Sequence, residues 1–209
     1  MSPLIVFGAG GHAKVVIDAC RAQGFFAPVA CLGECKEDTL LGVPVRPERD
    51  ATVLLREGAR HAIVAIGDNR IRERVAQRAE AMGFELVTVV HPRACLSADA
   101  SVGAGSVIMA GAVVQPGARI GRMAIVNTGA TVDHDCALGD AVHVAPGATL
   151  CGSVAVGDRV WVGAGATIIE GTSIERDAFV CAGAVIVRSV TEAGARLAGV
   201  PARFLGDRS

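Results

Sequence analysis

The chain has 209 residues with 20 basic and 21 acidic side chains, which gives a formal net charge of -1. Such a balance offers no general electrostatic attraction for nucleic acid or for an anionic membrane. Hydrophobic residues make up 51% of the sequence, aromatic residues only 3%, and there are 26 glycines and no tyrosine. This composition predicts a core of small branched side chains stacked in layers.

The seven cysteines are an odd number, and their spacing matches no paired zinc motif. We therefore expect reduced, structural thiols and a cytoplasmic location, where disulfides are rare. The N-terminus lacks a charged leader, and no stretch approaches the ~18 apolar residues of a membrane-spanning helix. The sequence thus predicts a soluble protein without membrane insertion.

The first predicted elements are a strand at Leu4–Phe7 and a helix at Lys14–Gln23, joined by a glycine-rich turn. A strand, a turn and a helix N-terminus place free backbone N–H groups where a phosphate can bind. The spacing of Gly8, Gly10 and Ala13 is close to a dinucleotide fingerprint, GxGxxA. By itself this spacing indicates only a phosphate site.

Further strands and helices alternate along the first 90 residues. The predicted strands are Val29–Leu32, His61–Ile66 and Glu85–Val90, and the predicted helices are Ala51–Glu57 and Arg70–Met82. A turn-rich segment covers Leu41–Val45, and Glu34 is the one candidate for a ribose-binding acid. Because 90 residues are too few for two mononucleotide-binding halves, we expect a small Rossmann-like domain for one nucleotide rather than a full NAD site.

From Leu96 to Ile186 an aliphatic residue returns at every sixth position. A helix needs a period near 3.6 and a half-buried strand a period of 2, so neither explains this pattern. A β-helix does, with one short strand per hexad and three hexads per coil. His91-Pro92 favours an extended boundary, so residues 91–209 are predicted to form a β-helix domain, closed by a C-terminal cap near Gly199–Ala202.

Four sequence stretches together resemble the PglD/NeuD-like sugar acyltransferase family of hexapeptide-repeat proteins. They are FGAGGHA, IGDN, VNTGATVDHDCALGDAVHVAPGATLCG and AGVPA. The resemblance covers nearly the whole chain. It implies an α/β plus all-β fold, in which a Rossmann-like domain precedes a left-handed parallel β-helix. It also implies a homotrimer with active sites between neighbouring subunits and acetyl-CoA as co-substrate.

For this chain the resemblance implies N-acetylation of a UDP- or GDP-linked 4-amino-dideoxy sugar in bacterial surface glycan biosynthesis. The nucleotide-sized first domain favours that acceptor. Two alternatives stay open: O-acetylation of sialic acid, and a nucleotide-sugar-binding scaffold without catalysis. A metal-dependent β-helix enzyme of the γ-carbonic-anhydrase type needs three histidine ligands. Since only His134 and His143 lie in the repeat, no metal is expected.

His134 stands where the other hexads mostly have a small residue, and it is flanked by Asp133 and Asp135. An imidazole that is held by a carboxylate can act as a general base. A solvated surface histidine is the other interpretation of the same residues. The resemblance favours His134 as the catalytic base and Asp135 as the group that orients it.

The resemblance also implies two sets of binding residues. Those for acetyl-CoA are His143, Gly152, Ala164 and Ala182. Those for the nucleotide sugar are Gly10, Gly11, His12, Ala13, Gly67, Asn69, Arg70 and Asn127. Each set also has a purely structural interpretation. Ala164 and Ala182 can serve simple packing, His12 can cap a helix, and Asn127 can occupy a turn. Of the basic residues on the third predicted helix, only Arg70 is expected to reach the nucleotide.

Overall fold

A computed structural model describes residues 1–207 and divides the chain into two compact units. The first unit is Met1–Pro92, and the second begins at Arg93. The division falls at the His91-Pro92 pair, next to the boundary predicted after residue 90.

The first unit is a sheet with helices between its strands. The strands of the sheet are β1 (Ser2–Phe7), β2 (Phe26–Leu32), β3 (Thr39–Leu40), β4 (Val43–Arg46), β5 (His61–Val64) and β6 (Glu85–Leu86), and a further strand, β7 (Val89–Val90), lies outside this sheet. Its helices are α1 (Gly11–Gln23), α2 (Ala51–Arg56) and α3 (Asn69–Met82), with a 3₁₀ turn at Glu48–Asp50. The sheet order is β3-β4-β2-β1-β5-β6, and only β3 and β4 pair antiparallel. The predicted Rossmann-like domain is confirmed.

Strand β1 lies in the middle of this sheet, and the side chains of Leu4–Phe7 are at most 2% exposed. A central parallel strand is covered on both faces, which explains a continuous apolar run rather than an alternating one. Helix α1 begins at Gly11 rather than at the predicted Lys14, because the extended Gly10 leads directly into the helix. The first helical turn therefore contains His12 and Ala13.

Two other sequence predictions for this unit were wrong in detail. The turn-rich segment at Leu41–Val45 belongs to the β3–β4 hairpin, and β4 also pairs with β2. The strand predicted at Glu85–Val90 is split into β6 and β7. Both errors have one cause, since strands of two to four residues are too short for a recognisable period in the sequence.

The second unit is a stack of two-residue strands followed by a hairpin. The strands are β8 (Cys95–Leu96), β9 (Ser101–Val102), β10 (Val107–Ile108), β11 (Val113–Val114), β12 (Arg119–Ile120), β13 (Ile125–Val126), β14 (Thr131–Val132), β15 (Ala137–Leu138), β16 (His143–Val144), β17 (Thr149–Leu150), β18 (Ala155–Val156), β19 (Trp161–Val162), β20 (Thr167–Ile168), β21 (Ser173–Ile174), β22 (Phe179–Val180), β23 (Val185–Ile186), β24 (Ala195–Gly199) and β25 (Ala202–Asp207). One strand recurs in each hexad, as predicted.

These strands form the three walls of the coil, and stacked strands of the coil pair parallel within each wall. Counting only strands of the second unit, the first wall contains β10-β13-β16-β19-β22-β24-β25, the second β8-β11-β14-β17-β20-β23 and the third β9-β12-β15-β18-β21. His143 pairs with Ile125 on one side and with Trp161 on the other, so each coil takes 18 residues. From Ile108 to Ile186 the second residue of every strand is buried, because alternate side chains point to opposite faces of a strand. These side chains fill the lumen of the predicted β-helix.

The corners between the walls follow the same period. Every sixth residue from Gly105 to Gly183 has a positive φ. Most are glycines, but Asp135 is one of the residues with a side chain at this position, with a φ of 59°. A left-handed backbone conformation costs a residue with a Cβ about 1–2 kcal/mol. The lattice of the coil therefore imposes the conformation that positions Asp135.

The antiparallel pair β24 and β25 follows the last coil, and β24 continues the first wall beside β22. Ala195 and Leu197 of β24 are buried and cover apolar residues of the coil, as a terminal cap must. Within residues 1–207, none of the helices has the length and apolar character needed to cross a membrane.

Candidate active site

The first unit contains a cleft of about 390 Å³ at the carboxyl ends of its central strands. Its lining comes from the turns after β1, β2 and β5: Gly8–His12, Gly33–Glu34 and Ala65–Gly67, with Glu48 at the rim and Phe7, Leu32 and Val75 below. The chain crosses from one side of β1 to the other between β2 and β5. Ligands of open α/β sheets bind at such a switch point.

The N-terminus of helix α1 points an anion-binding surface at this cleft. No side chain caps the helix at Gly10, and its first turn has no acidic residue. A Cβ added at Gly10 or Gly11 would meet no atom within 4 Å, so neither glycine is required by packing inside the unit. The backbone N–H groups of Gly10 and Gly11 and the helix dipole suit a phosphate, and the missing side chains leave room for it. Ala13 is fully buried and lies behind this surface.

His12 lines the cleft as a neutral side chain. Burial, together with the nearby positive charge of Arg72, lowers the pKa of His12 to about 4. At neutral pH the imidazole can therefore exchange hydrogen bonds with a ligand but supplies no positive charge to a phosphate.

Arg72 lies beneath the turn that follows β5, a position that the sequence did not single out. It is 1% exposed and donates to the carbonyl oxygens of Ile66 and Gly67 over 3.0 and 2.9 Å and to Oδ1 of Asn69 over 2.8 Å. Burial lowers the pKa of Arg72 to about 10, so the guanidinium keeps its charge at neutral pH. Asn69 is thus engaged in holding the turn, whereas Arg70 is exposed and lies outside the lining of the cleft.

His134 and Asp135 form a hydrogen-bonded pair at the corner between β14 and β15. Nδ1 of His134 lies 2.9 Å from Oδ2 of Asp135, and the two side chains are 59% and 67% exposed. The hydrogen bond that His134 donates to Asp135 raises the pKa of His134, as does the charge of Asp133, which also accepts from the His134 backbone N–H over 2.7 Å. With its hydrogen on Nδ1, the neutral imidazole has a free lone pair on Nε2 that faces away from the carboxylate.

Gly152 lies against the Nε2 edge of His134, one coil farther along the chain. A Cβ at Gly152 would stand 2.5 Å from Nε2 and 2.6 Å from Cε1 of His134, so a side chain there would displace the ring. Among residues 1–207, the backbone N–H of Gly152 donates to no acceptor. The corner therefore offers a base and a free hydrogen-bond donor side by side.

Gly117 supports Asp135 from the opposite side, one coil before it. A Cβ at Gly117 would lie 2.5 Å from Oδ1 of Asp135, and the φ of Gly117 is +73°. Gly117 was not predicted from the sequence, although its spacing of 18 residues from Asp135, one full coil, indicates that the two positions stack. Its lack of a side chain allows the carboxylate to reach the histidine.

We expect the substitution Gly117→Ala to lower the pKa of His134, because the new methyl group displaces the carboxylate that raises it. Histidine titration by NMR measures this pKa directly. Gly171→Ala is the matched control: Gly171 occupies the same corner, has a φ of +65° and has no atom within 4 Å of an added Cβ. An equal shift in both variants, or none in Gly117→Ala, would contradict the contact.

His143 and Asn127 form a second cluster, on the first wall and at its edge. Nδ2 of Asn127 lies 3.1 Å from Nε2 of His143. Because the amide nitrogen donates, Nε2 accepts and the imidazole hydrogen is on Nδ1. The ring is 5% exposed and its centroid is 4.2 Å from that of Trp161. Asn127 therefore contacts the predicted acetyl-CoA residue rather than His134.

Ala164 and Ala182 lie one and two coils beyond Pro146, at the corner that separates the first wall from the second. Both are exposed, and among residues 1–207 neither backbone N–H donates a hydrogen bond. His134 belongs to the corner between the second and third walls, which faces away from the first wall in a coil with three sides. One chain therefore does not bring His134 together with His143.

Comparisons with known proteins agree with both units. A family model for the PglD N-terminal domain matches residues 3–79. The UDP-N-acetylbacillosamine N-acetyltransferase of Bacillus subtilis (strain 168) is 36% identical over 114 residues, which cover 53% of this chain and 52% of that protein. The match thus spans about half the length of this curated relative.

Two solved structures are similar over nearly the whole chain. A histidine-to-alanine variant of GDP-perosamine N-acetyltransferase from Caulobacter crescentus, in complex with CoA and GDP-perosamine, is 41% identical, with a TM-score of 0.94 and coverage of 99% of this chain and 98% of that one. The acetyltransferase domain of PglB from Neisseria gonorrhoeae FA1090, in complex with acetyl coenzyme A, is 40% identical, with a TM-score of 0.90 and coverage of 97% and 98%. The chain belongs to the PglD/NeuD-like family of sugar acyltransferases, whose left-handed β-helix it shares.

Proposed function

We propose that this protein transfers an acetyl group from acetyl-CoA to the amino group of a UDP- or GDP-linked aminosugar. The observation that carries the proposal is the exposed His134–Asp135 pair, whose free Nε2 faces the backbone of Gly152. The similar proteins from C. crescentus and N. gonorrhoeae bind CoA or acetyl-CoA, and the former also binds a nucleotide-linked aminosugar. The relatives from C. crescentus and B. subtilis are both N-acetyltransferases by name, which supports an amine as acceptor.

The proposed reaction needs a base, because an amine that attacks a thioester carbonyl must lose a proton as the new C–N bond forms. Nε2 of His134 accepts that proton, and Asp135 stabilises the imidazolium through Nδ1. When the tetrahedral intermediate collapses, the C–S bond breaks and the imidazolium returns the proton to the leaving thiolate. A positioned base of this kind contributes about 10²–10⁴-fold to the rate.

The carbonyl oxygen gains negative charge in the intermediate, and hydrogen-bond donors aimed at that charge lower the barrier. Gly152 lies beside Nε2 of His134, and its backbone N–H is one donor in this proposal. In this proposal the side chain of His143, which Asn127 contacts, is the second donor on the first wall. The N–H groups of Ala164 and Ala182 bind amide oxygens of the pantetheine arm along the neighbouring corner.

The cleft of the first unit suits the nucleotide part of the acceptor. Its volume lies within the usual range of about 300–1,000 Å³ for small-molecule sites. Gly10 and Gly11 present the helix N-terminus to a phosphate, and His12 and Gly67 line the same space. Arg72 keeps the turn at Gly67 in place and adds positive charge below it. Contacts from Arg70 stay a prediction, since this side chain lies outside the lining.

We propose a homotrimer in which each active site lies between two chains. His134 lies at one edge of the second wall, and the Asn127–His143 cluster lies at the opposite edge. A cyclic assembly can therefore place the His134 edge of one chain beside the Asn127–His143 edge of the next chain. Rotation about an axis parallel to the coil keeps equal coils at equal height. His134 of one chain then meets acetyl-CoA bound to its neighbour.

Mixing two inactive variants tests this assembly. We expect His134→Ala and His143→Ala to be impaired when purified separately, and to regain activity when they are unfolded together and refolded as mixed oligomers. With random assembly about a quarter of the shared sites receive both histidines, since each of the two chains must be of the right kind. Each variant refolded alone is the control. No recovery in verified mixed oligomers would place both histidines of a site in one chain.

The proposed compartment is the cytoplasm, because all seven cysteines are free and a reducing compartment keeps them so.

Incubation with acetyl-CoA and a panel of UDP- and GDP-linked aminosugars tests the function, with release of free thiol as the signal. The matching sugars with a hydroxyl group in place of the amine are the controls. Acetylation of the hydroxyl sugars alone would overturn the proposed acceptor.

A further inference from the structure

The outer face of the first wall has a row of four side chains in register, the His143 row: His143, Trp161, Phe179 and Arg196. The Trp161 and Phe179 rings are stacked at 11°, with centroids 6.0 Å apart. Cζ of Arg196 lies 5.9 Å from the centroid of Phe179, so the guanidinium extends along this row. The row therefore runs from an imidazole over two aromatic rings to a cation.

Arg196 is an exposed cation without an anionic partner among the side chains that the structure describes. Against the side chains of residues 1–205 its guanidinium forms no hydrogen bond and no ion pair, and it lies over the Phe179 ring. Contact with an aromatic face holds a guanidinium in place without neutralising its charge. All five N–H donors of Arg196 are therefore available to an anion.

The two directions away from His143 differ in chemistry. Toward the N-terminus the row continues with Ile125 and Val107, both buried and apolar. Toward the C-terminus it ends at Arg196. A long ligand whose reactive end lies near His143 and whose other end carries phosphates is therefore matched by charge only in the C-terminal direction. The free N–H groups of Ala164 and Ala182 lie in that direction as well.

Lengths decide which part of acetyl-CoA reaches Arg196. Three steps between strands separate His143 from Arg196, or about 14 Å at about 4.8 Å per step. The pantetheine arm between the sulfur and the first phosphorus has as many bonds as the backbone of four to five residues, which spans roughly 14–16 Å when extended. The pyrophosphate arrives at the height of Arg196, whereas the 3′-phosphate lies farther along the molecule.

We infer that Arg196 binds the pyrophosphate of acetyl-CoA, with the Trp161 and Phe179 rings lying along the pantetheine arm. This inference rests on the proposed function, because it takes acetyl-CoA as the co-substrate. Arg196 is a binding residue in this assignment and takes no part in the proton transfer at His134. Loss of the Arg196 side chain therefore weakens the binding of acetyl-CoA without slowing the chemical step.

The test is Arg196→Gln, examined by calorimetry with CoA and by kinetics with acetyl-CoA. We expect the Kd for CoA and the KM for acetyl-CoA to rise about 10-fold, the usual effect of losing a hydrogen bond to a charged group. The value of kcat at saturation should stay within about two-fold, since the chemical step is untouched. Arg196→Lys, which keeps the charge, should recover part of the affinity.

Shortened thioesters identify the group that Arg196 contacts. The rise in KM that Arg196→Gln causes should persist with 3′-dephospho-acetyl-CoA, which keeps the pyrophosphate. It should vanish with acetyl-pantetheine, which has no phosphate. Arg203→Gln is the matched control: Arg203 is exposed on β25, outside the His143 row, and donates to the carbonyl of Ala202. We expect its constants to equal those of the unmodified protein.

Two outcomes would overturn the inference. One is unchanged CoA affinity in Arg196→Gln; the other is an equal loss with acetyl-pantetheine, which would indicate a change in packing rather than a lost phosphate contact. The unmodified protein separates this inference from the proposed function. If it fails to bind CoA at all, the proposed function fails; if it binds CoA and Arg196→Gln binds equally well, only the assignment of Arg196 fails.

Discussion

Replacing His134 by alanine is expected to lower kcat for acetyl transfer by at least about 10²-fold. The substitution removes the imidazole whose free Nε2 accepts the proton of the attacking amine. Carboxylates remain at this corner, and a carboxylate is ordinarily a much weaker base than an imidazole. Steady-state kinetics with acetyl-CoA and an accepted aminosugar measures the loss.

The same variant should keep its fold and its affinity for CoA, because the His134 side chain is exposed and makes no core contact. Sedimentation and calorimetry check these two properties. Glu175→Ala removes an exposed side chain from another corner of the coil and serves as the control for turnover. If His134→Ala works at close to the rate of the unmodified protein, His134 is not the base.

Replacing Asp135 by asparagine is expected to move the acid limb of the pH profile of kcat/KM to lower pH. The hydrogen bond that His134 donates to the Asp135 carboxylate raises the pKa of His134. The free base is the active form, so activity falls as the pH drops through this raised pKa. Without the carboxylate the pKa falls, and the histidine stays unprotonated to a lower pH.

The plateau of the Asp135→Asn profile should lie about 10-fold or more below that of the unmodified protein. An asparagine amide can donate to Nδ1, which favours the tautomer with hydrogen on Nε2 and leaves no lone pair for the amine. Comparing the two profiles cancels the titration of the acceptor amine, which is common to both. Asp140→Asn is the control, because its carbonyl can still accept from the Arg122 N–H. If the plateau of kcat/KM falls in Asp135→Asn while the acid limb keeps its position, Asp135 does not set the pKa of His134.

The sequence predicted the second unit well because its period is strict. Each hexad has its own inward residue and its own corner, so one register places every strand from Cys95 to Ile186. The same lattice made His134 visible as a departure from small residues. The first unit was predicted less sharply, since helix starts such as Gly11 and strands such as β3 depend on pairing partners that are distant along the chain.

Three features of the candidate sites became visible only in three dimensions. Gly117 matters because of the Asp135 carboxylate one coil above it, and Arg72 because burial directs it to the carbonyls of a turn rather than to solvent. Arg196 joins the His143 row only because β24 resumes the first wall after the hexad pattern has ended. In each case the contact depends on how distant parts of the chain pack together, which the local sequence does not show.

The sequence by itself determined the β-helix, the Rossmann-like first unit and the His134–Asp135 pair, because periodicity and neighbouring residues are properties of a linear chain. The tertiary structure decided which side chains share a wall or a corner. It separated His134 from the Asn127–His143 cluster, which makes a site with both histidines a matter of assembly. The physical reason is the three-sided coil: residues close in sequence turn to different walls, and residues 18 apart stack in contact.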